Sequence, residues 1–324
     1  MCTAITFTAA NHYFGRNLDL EKRYNEHVTI TPRNYIFHYK SGEICRKHYA
    51  IIGTATIVDN YPLYYDATNE FGLSIAGLNF VKNSYIGKIK ENKKNLAPYE
   101  LIPFLLSNCK NVDECVQLLQ EINLVDIPFN SYYRNPELHW LIADKMDNCI
   151  TLEFMKDGMK IHKNSIGILT NNPPFEYQIM NLNNYINLSN REPVNRFSSK
   201  IDLEVYSRGM GAIGMPGDLS SMSRFVRATF TKINSVRPKN DIDSISQMFH
   251  ILGAVEQQEG NVKIGNKFER TQYTSCSDMD NCIYYYTTYS NHQISAINMF
   301  KENIDGNNLI SFKMIFDEKI AYLN

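Results

Sequence analysis

The chain opens Met1-Cys2-Thr3, and a small second residue permits removal of the initiator methionine. Cys2 would then carry a thiol and a free α-amine on one residue. The thiolate is the reactive form of a cysteine. An α-amine titrates at about 8, so a modest downward shift makes it a base at neutral pH. Nucleophile and base would come from a single residue, as in threonine systems that use their own N-terminal amine. A Met-Cys start is also common in proteins that do no such chemistry. The segment Gly15-Arg16-Asn17-Leu18-Asp19 strengthens the reading. A turn at residues 9–11 between strand candidates 3–7 and 12–14 would fold Arg16 and Asp19 back beside Cys2. There Arg16 would favour a thiolate, and Asp19 would accept hydrogen bonds from the α-ammonium. Taken alone, the same two residues are an ordinary surface ion pair.

A constellation of this kind needs rigid elements to hold it. Strands are predicted at 28–31 and 49–55. A hairpin follows over 66–80, turning at Asn69-Glu70-Phe71-Gly72 and returning through the apolar run 73–78. Pro98 opens a helix over 99–106. Asn111 caps another over 112–122, with Asp113 and Glu114 in its first turn and Val116, Leu119 and Ile122 at helical spacing. Strands resume at 138–143, 149–154, 159–162 and 167–170. Residues 177–182 read as helical, Ser220 or Ser221 caps a helix through Phe230, and 244–252 is another helix. Strands close the chain at 283–289, 293–298 and 309–315. Blocks of strands and helices in this order predict an α+β fold with a mainly antiparallel sheet. The Lys-rich stretch 83–95 reads as a surface loop. With no internal repeat or linker, residues 1–324 form one domain.

Composition narrows the function classes. The 324 residues are 44% hydrophobic and 21% charged, with a net charge of −1, and no long basic run marks a nucleic-acid partner. An anionic substrate would be held by a few placed cations. The seven cysteines form no CxxC pair and no zinc spacing with histidine, which predicts free thiols in the cytoplasm and no metal. No secretory signal and no apolar run of about 18 residues is present, so no membrane partner is expected. Arg208-Gly-Met-Gly-Ala-Ile-Gly214 contains GxGxxG, but Met215-Pro-Gly-Asp218 interrupts before any helix, so a dinucleotide loop is not expected.

Five motifs in order resemble the bile salt hydrolases, which stand with penicillin V acylases in the choloylglycine hydrolase family. They are Met1-Cys2-Thr3, Phe14-Gly-Arg-Asn-Leu-Asp19, Ala76-Gly-Leu-Asn-Phe80, Leu169-Thr-Asn-Asn-Pro173 and Pro216-Gly-Asp-Leu-Ser-Ser-Met-Ser-Arg-Phe225. The resemblance continues into the C-terminal strands through Thr271-Gln-Tyr-Thr-Ser-Cys276 and Tyr284-Tyr-Tyr286. It implies a four-layer αββα sandwich of the N-terminal-nucleophile hydrolase type, with the mature chain starting at Cys2. It implies Cys2 as nucleophile, Arg16 and Asp19 as its partners, Asn79 and Asn171 at the oxyanion and substrate, and Arg224 as a further site cation. Asn79 leans toward bile salts, because penicillin V acylases of the family often carry tyrosine there; penicillin V or another N-acyl amide is the alternative substrate. Side-chain amides of asparagine are suitable oxyanion donors. Read without the resemblance, Asn171 before Asn172-Pro-Pro is an ordinary turn residue, and Arg224 is a helix-surface cation.

The resemblance further implies hydrolysis of glycine- or taurine-conjugated bile salts through a Cys2 thioester, without a cofactor, in a homotetramer. A steroid needs an apolar cleft. Leu18, Tyr24, Ile57, Tyr61, Phe129 and Leu138 lie in segments that resemble the family's substrate loops.

Overall fold

The protein, described over residues 1–324 by a computed structural model, is built from two large antiparallel sheets laid face to face, with helices on both outer surfaces. The first sheet has seven strands. Its centre is the hairpin of β1 (Cys2–Thr8) and β2 (His12–Leu20), with Ile168–Leu169 beside β1 and Lys267–Asp278 beside β2. Ile283–Thr288 and Asn291–Asn298 extend it outward, and Val262–Ile264 pairs with the long strand. The second sheet has eight strands. It runs from Gly158–Lys163 through Cys149–Met155, Leu138–Ala143, Ser74–Asn79, Tyr61–Asn69, Ile51–Val58 and Glu26–Thr31 to Ile310–Lys313.

Five α-helices complete the layers. α1 (Leu101–Asn108) and α2 (Val112–Leu119) bury Leu101, Leu105, Cys115 and Leu119 against Ile51, Ile75, Trp140 and Leu152 on the outer face of the second sheet. α3 (Phe175–Asn181) follows the Ile168–Leu169 edge strand. α4 (Ser221–Asn234) and α5 (Asp241–Gly253) cover the first sheet through Phe225, Ala228, Met248 and Leu252, which pack on Ile5 and Tyr13. Between the sheets lie Ala4, Phe14, Ile52, Ala76 and Leu141. The order is helix, sheet, sheet, helix, the predicted αββα sandwich. Alternation puts one strand face on helices and the other on the facing sheet, so both faces are dry.

Several predicted boundaries shift for local reasons. β2 continues to Leu20, well past the predicted end at Phe14, because Arg16, Asn17 and Asp19 are buried with polar partners. The strand Lys267–Asp278 is not marked by alternation, and only the resemblance placed Thr271–Cys276 among the C-terminal strands. Six of its residues from Glu269 to Thr274 include the buried polar Glu269, Thr271, Gln272 and Thr274, which mask any apolar alternation. The helix predicted over 112–122 ends at Leu119, and the chain then forms Ile122–Leu124 parallel to Lys94–Leu96. The helix predicted from 177 starts at Phe175, after Pro174. Asn111 caps α2 as expected, its side chain accepting the Glu114 N–H at 2.9 Å.

Gly15 shows how tightly the layers meet. A Cβ at this position would lie 2.3 Å from the Ser275 carbonyl oxygen and 2.9 Å from Met248 Cε. The Ser275 carbonyl belongs to the backbone of the neighbouring strand and cannot yield without moving that strand, whereas the Met248 methyl is the end of a flexible side chain. Gly15→Ala is expected to destabilise the fold by about 1–3 kcal/mol through overpacking, read as a lower urea midpoint at unchanged m-value; an unchanged midpoint would refute the close approach.

Candidate active site

Cys2 pairs with Leu18, and Ala4 with Arg16, across the central hairpin. In a strand, residues two apart share a face, so Arg16 lies on the Cys2 side, toward the second sheet. Its Nη1 donates to the carbonyl oxygens of Tyr65 at 2.8 Å and Gly77 at 2.9 Å. Its Nε and Nη2 are buried without a partner. Asn17 and Asp19 point the opposite way, toward the helices. Asn17 Nδ2 donates to the Leu252 carbonyl at 2.9 Å, and the Asp19 carboxylate accepts from Thr271 Oγ1 at 2.6 Å. Arg16 and Asp19 therefore reach the Cys2 region from opposite faces of one strand.

Asn171 follows the Ile168–Leu169 strand and precedes a cis Asn172–Pro173 bond. Its Oδ1 accepts the Cys2 N–H at 2.8 Å and Arg224 Nη2 at 2.7 Å, while its Nδ2 donates to the Asn79 carbonyl at 2.8 Å. The Asn171 N–H donates to Ser221 Oγ at 2.8 Å. Ser221 thus serves this turn, and Asp218 accepts the Ser220 N–H at 2.9 Å at the start of α4. Arg224, four residues from the start of α4, is wholly buried. Its Nη1 donates to the Cys2 carbonyl and, at 2.6 Å, to Thr3 Oγ1, and it lies 4.0 Å from Asp19 Oδ2. Cys2, Asp19, Asn171 and Arg224 thus form one connected web around the Cys2 backbone. The Asn79 side chain makes no hydrogen bond within the chain and lines the cavity with Cys2 and Arg16.

Burial dominates the electrostatics. It pushes the Asp19 carboxyl upward, an effect opposed by Arg224 and the terminal ammonium. It also works against the Arg16 charge, yet Cys2, Tyr273 and Asp66 nearby leave that pKa raised. Asp66, 3% exposed, accepts from Tyr273 Oη and Tyr284 Oη at 2.6 Å each and from Ser275 Oγ at 3.1 Å. These donors hold a carboxylate next to a buried guanidinium. The Met1 ammonium donates to the Asp19 carbonyl at 2.8 Å and lies 2.9 Å from Glu269 Oε1. The Asp19 carboxylate does not receive that ammonium, and its Oδ2 has no hydrogen-bond partner.

The Cys2 and Arg16 side opens into a cavity of about 410 Å³, and 13 of its 21 lining residues are hydrophobic. That composition suits a largely apolar ligand. Leu18, Tyr24, Phe129 and Leu138 line it. Ile57 and Tyr61 do not: Ile57 pairs with Pro62 on the second sheet, and Tyr61 packs behind Phe129 at a ring separation of 5.6 Å. Sequence reasoning missed Leu63, Tyr99, Ile102, Tyr132, Tyr133 and Arg134 on the walls. The aromatic pair Tyr132-Tyr133 within a polar loop was the signal available. A second, polar cleft of about 590 Å³ lies at the far end of β1, around Thr6–Thr8, Lys163 and Lys232.

With this geometry in view, the chain was compared with known proteins. Residues 2–312 match the family of linear amide C–N hydrolases, choloylglycine hydrolase family. The chain is 52% identical over 315 residues to a bile salt hydrolase/transferase of Lactiplantibacillus plantarum, covering 97% of each. It superposes with a TM-score of 0.93 on the C2A variant of conjugated bile acid hydrolase from Clostridium perfringens, at 36% identity and full coverage of both. Penicillin V acylase from Agrobacterium tumefaciens shares the fold, with a TM-score of 0.76 at 18% identity over 96% of this chain and 91% of that one.

Asp66 was invisible as a site residue, and its role can be measured. Asp66→Asn removes a buried charge that accepts three hydrogen bonds and lies near Arg16 without pairing to it, and is expected to cost about 2–3 kcal/mol in urea unfolding, the scale of hydrogen bonds to a charged group. Tyr273→Phe, which removes one donor and leaves both charges, is expected to cost only about 1 kcal/mol. Equal losses for the two variants would refute the assignment of Asp66 as a buried charge.

Proposed function

The chain belongs to the choloylglycine hydrolase family of linear amide C–N hydrolases, and from that membership we propose that it hydrolyses the amide bond of glycine- or taurine-conjugated bile salts with Cys2 as nucleophile. The observation that carries this reading is the position of Cys2. It stands at the end of a central strand, beside a guanidinium with unpartnered N–H groups, at the wall of a mainly apolar cavity. A steroid body fits the aromatic and aliphatic walls. The likeness to the plantarum and perfringens proteins supports the substrate class.

In the proposed cycle the Cys2 thiolate attacks the amide carbonyl, forming a C–S bond and a tetrahedral oxyanion. Arg16 supplies a counter-charge on the thiol side. The open Asn79 amide is the donor available to the oxyanion. Asn171 acts on the nucleophile from behind, because its Oδ1 already holds the Cys2 nitrogen and Arg224. Collapse breaks the C–N bond, and the Cys2 α-ammonium passes a proton to the departing amine of glycine or taurine. A thioester remains. Water attacks it, the α-amine takes the water's proton, and the bile acid leaves as the thiolate is restored.

This cycle needs a free Cys2 amine, so active enzyme starts at Cys2. Asn171 Oδ1, 2.8 Å from that nitrogen, would then accept from the amine and aim it. The family resemblance also suggests a homotetramer, which would cover the exposed Ile186, Val194, Phe197, Tyr206 and Ile213. No helix is long and apolar enough to cross a membrane, and seven unpaired thiols suit a reducing cytoplasm.

Purified protein is expected to release glycine from glycocholate or taurine from taurocholate, faster than it cleaves penicillin V, and Cys2→Ala to release neither. Faster turnover of penicillin V would reassign the substrate. The intact mass of active enzyme is expected to lack one methionine residue; full activity in protein that retains Met1 would eliminate the α-amine as base.

A further inference from the structure

The layer between the sheets holds an ionisable pair that the proposed reaction does not use. His139, on Leu138–Ala143, and Glu153, on Cys149–Met155, are both 0% exposed. His139 Nδ1 lies 3.1 Å from Glu153 Oε1, and Nε2 lies 2.9 Å from the Thr170 carbonyl oxygen. Glu153 Oε1 also accepts the Phe175 N–H at 3.0 Å. The imidazole stacks on Phe80 with ring centroids 4.3 Å apart and planes within 8°. The pair thus grips both ends of the turn that carries Asn171, Thr170 through His139 and Phe175 directly. It also rests against the residue that follows Asn79.

The hydrogens can be counted from these contacts. A carbonyl only accepts, so His139 Nε2 must carry a hydrogen. Nδ1 and Oε1 must share a second one, because two bare lone pairs at that distance repel. Whether this proton sits on nitrogen or oxygen, the pair is neutral overall, which a dry interior tolerates far better than an isolated charge; the other Glu153 oxygen, Oε2, faces His162 Nε2 at 3.5 Å without a hydrogen bond. We propose that this neutral, one-proton His139–Glu153 pair positions Asn171, and through it the Cys2 nitrogen and Arg224. Neither residue lines the cavity, so both are positioning residues. Gln178 and Ser221 bind the same turn, and the Asn171 amide itself reaches the Asn79 carbonyl on the second sheet; the His139–Glu153 pair adds the ties that hold the two ends of the turn, Thr170 and Phe175, to that sheet. The inference rests on the proposed role of Cys2 and Asn171.

Glu153→Gln tests it with little change of shape. If the glutamine oxygen faces His139, it accepts from Nδ1 and Phe175, and the neutral ring then has no hydrogen for Thr170. If the amide nitrogen faces His139, it opposes the Phe175 N–H. One of the three bonds is lost either way. On glycocholate, kcat is expected to fall about tenfold with KM moved less than about twofold, the scale of one buried hydrogen bond expressed in the chemical step. An unchanged kcat, or a loss carried by KM, would overturn the proposal. Independently of turnover or the variant's folding, nitrogen-15 histidine spectra of the wild type, with His139→Gln for assignment, are expected to show a protonated, slowly exchanging His139 Nε2. A bare Nε2 would overturn the pair even in a protein that cleaves no bile salt, which separates this failure from failure of the substrate reading.

Discussion

A guanidinium taken out of water loses several kcal/mol of solvation unless protein groups replace it, and two of them, Arg16 and Arg224, are fully buried on either side of Cys2. They meet this constraint differently. Arg224 is surrounded by acceptors: the Cys2 and Leu219 carbonyls, Thr3 Oγ1 and Asn171 Oδ1, with Asp19 at 4.0 Å. Four of its five N–H groups are engaged, and it works as a clamp on the Cys2 backbone. Arg16 spends one nitrogen on two carbonyls of the facing sheet and keeps Nε and Nη2 unspent. A buried donor without a partner is a cost to stability, and in a reactive site it is capacity for charge that develops during reaction.

The two-sheet architecture follows from serving both cations. Arg16 spans the gap between sheets, so Tyr65 and Gly77 must present carbonyls opposite β2. Arg224 approaches from α4 on the outer surface of the first sheet. The strand that carries Cys2 is thus fixed through its backbone from one side, while its side chain faces the cavity on the other. If Cys2 is the nucleophile proposed above, a side chain held this way loses little further freedom when substrate arrives, and such preorganisation lowers the barrier to attack.

The sequence made the surface-facing helices and the alternating strands legible, because their patterns obey simple periods. The hairpin 66–80, the cap at Asn111 and the strands 138–143 and 149–154 belong to this group. The central strands were harder. In β2 the run Arg16-Asn17-Leu18-Asp19 looks like a polar loop, although all four are buried, and the partner strand Lys267–Asp278 hides behind Glu269, Thr271, Gln272 and Thr274. Polar residues enter a central strand only where long-range partners await them, and those of Arg16, Asn17 and Asp19 lie 49 to 257 positions away in sequence. Asp66 is one such partner: a lone acid in a hairpin strand, whose donors Tyr273, Ser275 and Tyr284 come from the far end of the chain. The cavity walls were half legible for a related reason. Leu18 and Leu138 sit on strands beside site residues, whereas Tyr99 comes from the 3-10 turn that leads into α1 and Tyr132 and Arg134 from a loop, segments that only the finished fold brings near Cys2.

The acids around the chain's start bear on the proposal that one residue supplies both nucleophile and base. Burial raises the Glu269 and Asp19 carboxyls, and the terminal ammonium opposes that rise in both. A cation at the N-terminus is therefore part of what makes these acids tolerable in the interior. In the proposed enzyme that cation moves from Met1 to Cys2, one residue nearer Asn171. Passing a proton from the Cys2 thiol to its own amine then creates the thiolate and the ammonium together and leaves the net charge of the buried cluster unchanged. A base on a separate, distant residue would shift charge across the interior and demand reorganisation of the dipoles around it. Keeping the transfer within one residue confines the change to a few ångströms, where Arg16 faces the sulfur and Asn171 Oδ1 faces the nitrogen.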